Sequence, residues 1–360
     1  MRNVMLQNVE NFRDLGGYAC DYGVTEFGVV YRSATIAYAN EADKKKIREL
    51  GIKTIIDLRE DEVKKKLPSP FHGESGIEVL ELPVNGNGRI STDYEDYVAS
   101  YLEMLEEPAS ARRVLLSILH AKKPLLIHCN AGKDRTGVFS MILLLAAGVH
   151  FDEVNADYMA SFPLLSRMTQ DTRANHPEVP ELLLTPNIQF LRDVYDEFIH
   201  RYGSIDRYFE MMGLNDDEVF SLKNLLGKQE HSCGAIVFRG DKVLVEHMAQ
   251  GHYSIPKGHT EDNDADAYAT ARREIKEETG IEVDHFVPGF EKTIVYSPKP
   301  GVSKQVTFFL AEAKPGEFQL QKEEVQDAYF LAPEDAYITL SHDSDRRLLA
   351  EAVSFKEKSA

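Results

Sequence analysis

His128-Cys129-Asn130-Ala131-Gly132-Lys133-Asp134-Arg135-Thr136-Gly137 lies between two apolar runs, Pro124 to Ile127 and Val138 to Ala147. A short apolar run, a polar loop with a glycine and a longer apolar run predict a buried strand, a tight loop and a buried helix. The cysteine closes the strand and the arginine, six positions on, opens the helix. Between them the backbone amides of Asn130, Ala131, Gly132 and Lys133 can form a cradle for a tetrahedral dianion. Unsatisfied N–H groups and the positive end of a helix both favour negative charge there.

The same field favours the thiolate of Cys129, which is the nucleophilic form. Arg135 can hold two phosphoryl oxygens in a bidentate fork and follow them as the group passes to sulfur, which lysine would do less well. Thr136 can hydrogen-bond the sulfur as it leaves. Two plainer readings compete. In one, Cys129 is a buried apolar thiol and Arg135 merely opens a helix. In the other, Gly132-Lys133 ends a nucleotide-binding P-loop, but Asp134 stands where Ser or Thr should bind magnesium and the earlier glycine is missing.

This stretch resembles the signature of the cysteine-dependent protein tyrosine phosphatases, in the form found in the bacterial and fungal tyrosine/dual-specificity branch with phosphoinositide-active members. Asn11-Phe12-Arg13-Asp14-Leu15-Gly16-Gly17-Tyr18, Tyr31-Arg32-Ser33 and Asp57-Leu58-Arg59 match that branch upstream, and Asp157-Tyr158 and Tyr202-Gly203-Ser204 downstream. The resemblance implies a phosphomonoesterase that needs no cofactor. Its general acid would be Asp134 inside the cradle, with Asp93 or Asp96 on a separate loop as rivals. Lys133 would add positive charge for doubly phosphorylated or inositol-phosphate substrates, a solvated loop lysine being the alternative.

A chain of 360 residues is long for a single core, and two domains are expected. A net charge of -18 argues against nonspecific binding to nucleic acid or an anionic membrane, so anionic substrates must be captured locally. Three cysteines, Cys20, Cys129 and Cys233, sit far apart without metal-ligand spacing, which suits a reducing compartment. The opening Met1-Arg2-Asn3-Val4 leads into no apolar signal core, and the apolar run to Val149 is too short to span a bilayer. A cytoplasmic protein without membrane insertion is expected.

Within the first domain, Gly16-Gly17 reads as a turn and Arg13 with Asp14 as a structural ion pair. Asn40 to Leu50 reads as a surface helix whose Lys44-Lys45-Lys46 is a solvated face, and Lys53 to Leu58 as a buried strand. Pro83 to Asp96, with Gly86 and Gly88, reads as a loop leading into a helix at Tyr94 to Met104. Phe190, Val194, Tyr195 and Phe198, then Val219, Leu222, Leu225 and Leu226, recur at helical spacing as core positions. Gly227 with Lys228-Gln229-Glu230 reads as a helix end and polar linker, which divides the chain into residues 1–227 and 228–360.

Beyond it, Ala235 to Phe238 and Lys242 to Glu246 read as strands joined by a turn at Arg239-Gly240-Asp241. Ile255-Pro256-Lys257-Gly258-His259-Thr260-Glu261 then leads through a polar loop into a helix at Ala267 to Thr279. Glu274, Glu277 and Glu278 share one face of that helix, where three carboxylates repel unless a hard divalent cation sits among them. Arg273 can pin one of them. An EF-hand at Asp262, Asp264 and Asp266 fails, because Ala267 replaces its glycine and Arg273 its closing glutamate.

The stretch resembles the Nudix box through Gly258, Arg273, Glu274, Ile275, Glu277, Glu278, Gly280 and Ile281, with a loop one residue longer and Asp264 near the usual glutamate. With Lys304-Gln305-Val306-Thr307-Phe308-Phe309-Leu310 and Glu323-Glu324-Val325 it looks like the asymmetrical diadenosine tetraphosphate hydrolases and relatives acting on diphosphoinositol polyphosphates. The resemblance implies magnesium or manganese on Glu274, Glu277, Glu278 and Glu324 or Glu323, with Glu277 catalytic. Lys257 and Lys304 would hold phosphates and Tyr296 would stack on a purine; Tyr253 stands where relatives often have tryptophan.

The expected architecture is therefore α/β throughout: a cysteine-phosphatase domain with a central sheet flanked by helices, then a Nudix α/β/α sandwich. The expected activity is a bifunctional hydrolase of small phosphorylated molecules, with phosphoproteins as further substrates of the first domain. The alternatives are that one domain senses a ligand to regulate the other, or that both act on inositol (pyro)phosphates.

Overall fold

The computed structural model describes residues 2–84, 93–261 and 263–359; Gly86, Gly88 and Asp262 lie outside them. The chain divides into two compact units, one of Met1–Gln229 with Tyr296–Ser303, the other of Glu230–Val295 with Lys304–Ala360. Both are mixed α/β.

The first unit is built on the Leu125–His128 strand, whose four residues are all buried. Val30–Ser33 pairs with it in parallel on one side and Thr54–Asp57 on the other, and both registers place Ser33 and Asp57 opposite His128. Three strands thus end at one level, and Cys129, Ala34 and Leu58 leave the sheet at the same edge. Ligands gather at such carboxyl ends. Arg13–Asp14, antiparallel to Val30–Ser33, and Glu78–Glu81, parallel to Thr54–Asp57, complete five strands.

The apolar run after the loop becomes the Arg135–Ala146 helix, which is buried nearly all round and so forms the centre of the helical layer. Tyr94–Glu106 begins at Asp93, whose side chain caps the helix by accepting the Asp96 amide at 2.8 Å. Tyr97 of this helix stacks on Phe190 of the Ile188–Tyr202 helix at 4.4 Å. Asn40 caps Glu41–Glu49, where Lys44 and Lys46 pair with Glu41 and Glu49 on the solvent side. Asp216–Lys223 is shorter than the apolar spacing suggested: Leu225 and Leu226 are buried in the turn that follows it.

The second unit carries a seven-stranded sheet in the order Tyr253–Ser254, Lys242–Met248, Lys228–Arg239, Val302–Ala313, Val283–Tyr296. Lys257–His259 pairs with Lys228–Arg239, and Val325–Leu331 with Lys242–Met248. The Ala267–Thr279 helix packs Ala271 and Ile275 against Val237, Leu244 and Phe309. Pro333–Thr339 and Asp343–Ser359 supply further helices, the latter burying Leu348, Leu349 and Ala352. One expectation is corrected here. Lys228-Gln229-Glu230 is not a linker but the start of the Lys228–Arg239 strand, the Lys228 amide donating to the Gly301 carbonyl at 2.9 Å. Polar side chains on an exposed strand end look like a linker because the pairing is made by backbone.

Candidate active sites

The Cys129 loop is held from behind by its carbonyls. Asn130 O accepts from the Thr35 amide at 2.8 Å, Ala131 O from Asn11 Nδ2 at 2.9 Å and Gly132 O from Arg32 Nη2 at 2.7 Å. None of the amides of Asn130, Ala131, Gly132, Lys133 or Asp134 donates to an acceptor among the described residues. Gly132 has a φ of 66°, and a Cβ there would lie 2.1 Å from the Ser33 carbonyl oxygen, so only glycine lets the loop sit this close to the sheet. The result is a row of amides without partners beside a buried cysteine, at the start of a helix.

The motifs upstream and downstream meet beneath this loop. Asp157 accepts from Arg13 Nε at 2.9 Å, Arg32 Nη1 at 2.5 Å and the Tyr18 hydroxyl at 3.0 Å, all of them buried. Burial alone would raise the Asp157 carboxyl, but Arg13 and Arg32 outweigh it and hold it at about 2. Arg13 therefore pairs with Asp157 rather than Asp14, which instead accepts the Gly16 and Gly28 amides. On the other side Arg59 forks onto Asp57 at 2.9 and 2.6 Å, and His128 Nδ1 donates to the Cys129 carbonyl at 3.2 Å. Arg135 Nη1 donates to the Leu58 carbonyl at 3.4 Å, and the Thr136 hydroxyl is buried without a hydrogen-bond partner among the described residues.

Asp134 stands at the N-cap position but does not cap the helix. Its Oδ1 accepts from the Tyr97 hydroxyl at 2.6 Å and from the Tyr101 hydroxyl, with Lys133 Nζ at 3.2 Å. Burial pushes this carboxyl up, but Lys133 and the two phenols outweigh it and set it below the ordinary carboxylate value. Lys133 is only 1% exposed, with Nζ donating to the Tyr97 hydroxyl at 2.8 Å and the Leu183 carbonyl at 2.9 Å. Neither a solvated lysine nor one reaching into the cradle fits these contacts; its charge is turned onto Asp134. Asp93 is spent on its helix cap, as described. In the sequence Tyr97 and Tyr101 are marked only as two tyrosines one helical turn apart.

In the second unit Arg273 is the organiser. It donates to Asp264 at 2.9 and 3.1 Å, to Glu274 at 2.8 Å and to Glu277 at 3.0 Å. Asp264 also accepts from Thr270 and the Glu261 amide, and Arg273 holds its carboxyl far below the ordinary range. The longer loop thus closes through Asp264. A Cβ on Gly258 would fall 1.9 to 2.4 Å from the Glu274 carboxylate oxygens, so the glycine is required by this close approach. Glu278 is buried and accepts the Lys257 amide at 3.2 Å, while Lys257 Nζ donates to Ser254 Oγ at 2.6 Å.

Burial raises the Glu278 and Glu274 carboxyls, and Glu324, exposed nearby, adds to both shifts. Lys304 is lowered by burial and by Lys257, with Glu230, Glu274 and Glu278 acting against this, so it belongs to the same group. Tyr296 falls in the segment that groups with the first unit, whereas Lys257, Lys304 and the glutamates belong to the second. Glu246 is a functional candidate that the sequence reading does not single out: it is fully buried on the Lys242–Met248 strand, and no donor among the described residues reaches its carboxyl oxygens. Its signal was a carboxylate inside an otherwise apolar strand.

Among the described residues no three Asp, Glu, His or Cys side chains already converge as a ligand group. The donors nevertheless fit a hard divalent cation: they are carboxylate oxygens, and two of the carboxylates are buried without a cation of the protein paired to them.

A model of the tyrosine phosphatase family matches residues 4–228, and a NUDIX domain model matches residues 228–352. The triple specificity protein phosphatase PtpB of Mycobacterium tuberculosis is 27% identical over 270 residues, covering 60% of this chain and 96% of that protein. The asymmetrical bis(5'-nucleosyl)-tetraphosphatase of Rattus norvegicus is 32% identical over 114 residues, covering 27% of this chain and 75% of that protein. A solved Ap4A hydrolase of C. elegans in a binary complex aligns with 36% of this chain and 98% of its own at 25% identity, with a TM-score of 0.33. No described helix is long and apolar enough to cross a membrane. With the cysteine loop in one unit and the glutamate helix in the other, the chain belongs to the tyrosine phosphatase family and joins to it a Nudix hydrolase domain.

Proposed function

We propose that the chain is a bifunctional hydrolase whose first unit cleaves phosphomonoesters, phosphotyrosine or related, through a thiol-phosphate intermediate. The observation that supports this most is the row of unpartnered amides around Cys129, with the carbonyls behind them anchored. Cys129 Sγ attacks phosphorus and the bond to the leaving oxygen breaks, while Asp134 gives that oxygen a proton. Asn130, Ala131, Gly132 and Lys133 offer amides to the phosphoryl oxygens, and Arg135 holds two of them through the transfer. Water then attacks phosphorus, gives its proton to Asp134, and the sulfur leaves toward the Thr136 hydroxyl. Lys133 acts through Asp134, as a positioning residue.

The second unit hydrolyses a phosphoanhydride of a nucleoside polyphosphate such as diadenosine tetraphosphate, a reading supported by the likeness to the rat tetraphosphatase. Glu274, Glu277, Glu278 and Glu324 would hold magnesium or manganese, which supplies Lewis-acid polarisation of the phosphate and an acidified water when bound. Lys257 and Lys304 neutralise the phosphate chain, and Glu277 takes a proton from the attacking water. Arg273 keeps Glu274 and Glu277 in place. The test is phosphate release by the full chain from an aryl phosphate and from diadenosine tetraphosphate, each with magnesium and with a chelator. The first rate should ignore the chelator and the second should vanish with it. A chelator-resistant dinucleotide rate would overturn the metal reading.

A further inference from the structure

We propose that Glu246 is an additional ligand of the cation held by the Nudix helix, facing Glu278 from the Lys242–Met248 strand. The inference rests on the metal reading of that helix. Glu246 follows Val243, Leu244 and Val245, all completely buried, and is itself completely buried. It sits between two strands, opposite Ser254 on one side and Ala328 on the other. No donor among the described residues reaches either of its carboxyl oxygens.

The groups that face it are Glu278, within hydrogen-bonding reach, then Lys257 and Glu274. Lys257 is committed by its ammonium to Ser254 and by its amide to Glu278, and Arg273 serves Asp264, Glu274 and Glu277. Two inward carboxylates thus oppose each other, and neither has an ion-pair partner among the described residues. A buried carboxylate without donors is strongly disfavoured, and an apolar or amide side chain of similar size would pack there at lower cost. A hard divalent cation accepts both groups and removes the repulsion. It would also tie the strand to the helix, so binding should raise thermal stability.

The experiment measures Mn2+ binding to the metal-free full chain by calorimetry and electron paramagnetic resonance, and the Mn2+-induced rise in Tm, for the parent, Glu246→Gln and Glu246→Leu. The parent should bind, and both variants should bind at least about tenfold more weakly, since even residues behind a metal ligand typically change affinity 10–100-fold. Without metal both variants should melt at or above the parent's temperature, because an unpaired buried charge is gone. If either folded variant binds Mn2+ as tightly as the parent, Glu246 and Glu278 merely share a proton and the proposal fails while the metal reading stands. If the parent binds no Mn2+, the metal reading itself fails, and this proposal with it.

Discussion

Buried charges around the Cys129 loop are matched within the protein: Arg13 and Arg32 with Asp157, Arg59 with Asp57, Lys133 with Asp134. Around the Ala267–Thr279 helix the matching stops at the outer carboxylates. Arg273 serves Asp264, Glu274 and Glu277, while Glu278 and Glu246 lie inside with no ion-pair partner among the described residues. The first site is organised before anything binds, and what it lacks is an anion for its amides. The second is short of positive charge. The difference accounts for two ways of handling a phosphate, one by fixed dipoles and a guanidinium, the other by an imported cation.

The largest effects should come from removing the group each site cannot replace. Cys129→Ser puts a hydroxyl where the loop favours a thiolate, and monoester turnover should fall by up to about a millionfold, as loss of an activated nucleophile can. Dinucleotide hydrolysis by this variant should match the parent. Glu278→Gln should cost the dinucleotide activity roughly a thousandfold, about 4 kcal/mol at ~1.4 kcal/mol per decade, and leave the aryl phosphatase rate unchanged. Both rates would be measured on the same preparations at equal folded concentration. A folded Cys129→Ser chain that loses both activities would mean the two sites are coupled and the contrast between them is misdrawn.

The parts of each site that were legible in the sequence are local ones. Cys129 and Arg135 are separated by a single loop, and Arg273 to Glu278 by less than two helical turns, so spacing alone placed them together. The ionic support was not legible in its pairing: Arg13 and Arg32 reach Asp157 across 144 and 125 positions, and no periodicity names a partner that far away. The direction of Lys133 depended on Tyr97, which comes from another helix 36 positions earlier. In the sequence Glu246 reads only as the end of an apolar strand, because alternation says which face a residue takes and not what waits there.

The paired side of the contrast can be broken at Asp157. Asp157→Asn leaves Arg13 and Arg32 buried without an anion, and removing one partner of a buried pair typically costs ~3–5 kcal/mol. Chemical denaturation of the first unit's transition should move by that amount, with or without magnesium. Folding lowers this carboxyl from 3.8 to about 2, so its contribution is complete above the unfolded value and disappears as pH falls through the folded one. The parent should therefore lose stability between about pH 4 and pH 2, a loss the variant lacks. Equal stability of the two at neutral pH would show that the strut is dispensable.

The smallest expected effect is the most discriminating, because it asks what the two phenols on Asp134 are for. Both donate to Oδ1, and they stabilise the ionised form together with Lys133. An acid that must give up a proton in the first step works only while protonated. The rate on aryl phosphates with poor leaving groups should therefore decline as pH rises through the value of Asp134. Tyr101→Phe removes one donor to the charged form, worth ~1.5–3 kcal/mol in a buried setting, so the carboxyl rises and the decline moves to higher pH by about one to two units. Asp134→Asn should abolish this limb and slow poor leaving groups by ~10²–10⁴-fold, with little effect on good ones. The measurement is the pH profile of kcat/KM for a poor and a good leaving group on the parent and both variants. A limb that stays in place in folded Tyr101→Phe, or that vanishes in Asp93→Asn but not in Asp134→Asn, would move the proton donor out of the cradle to the capped helix end at Asp93.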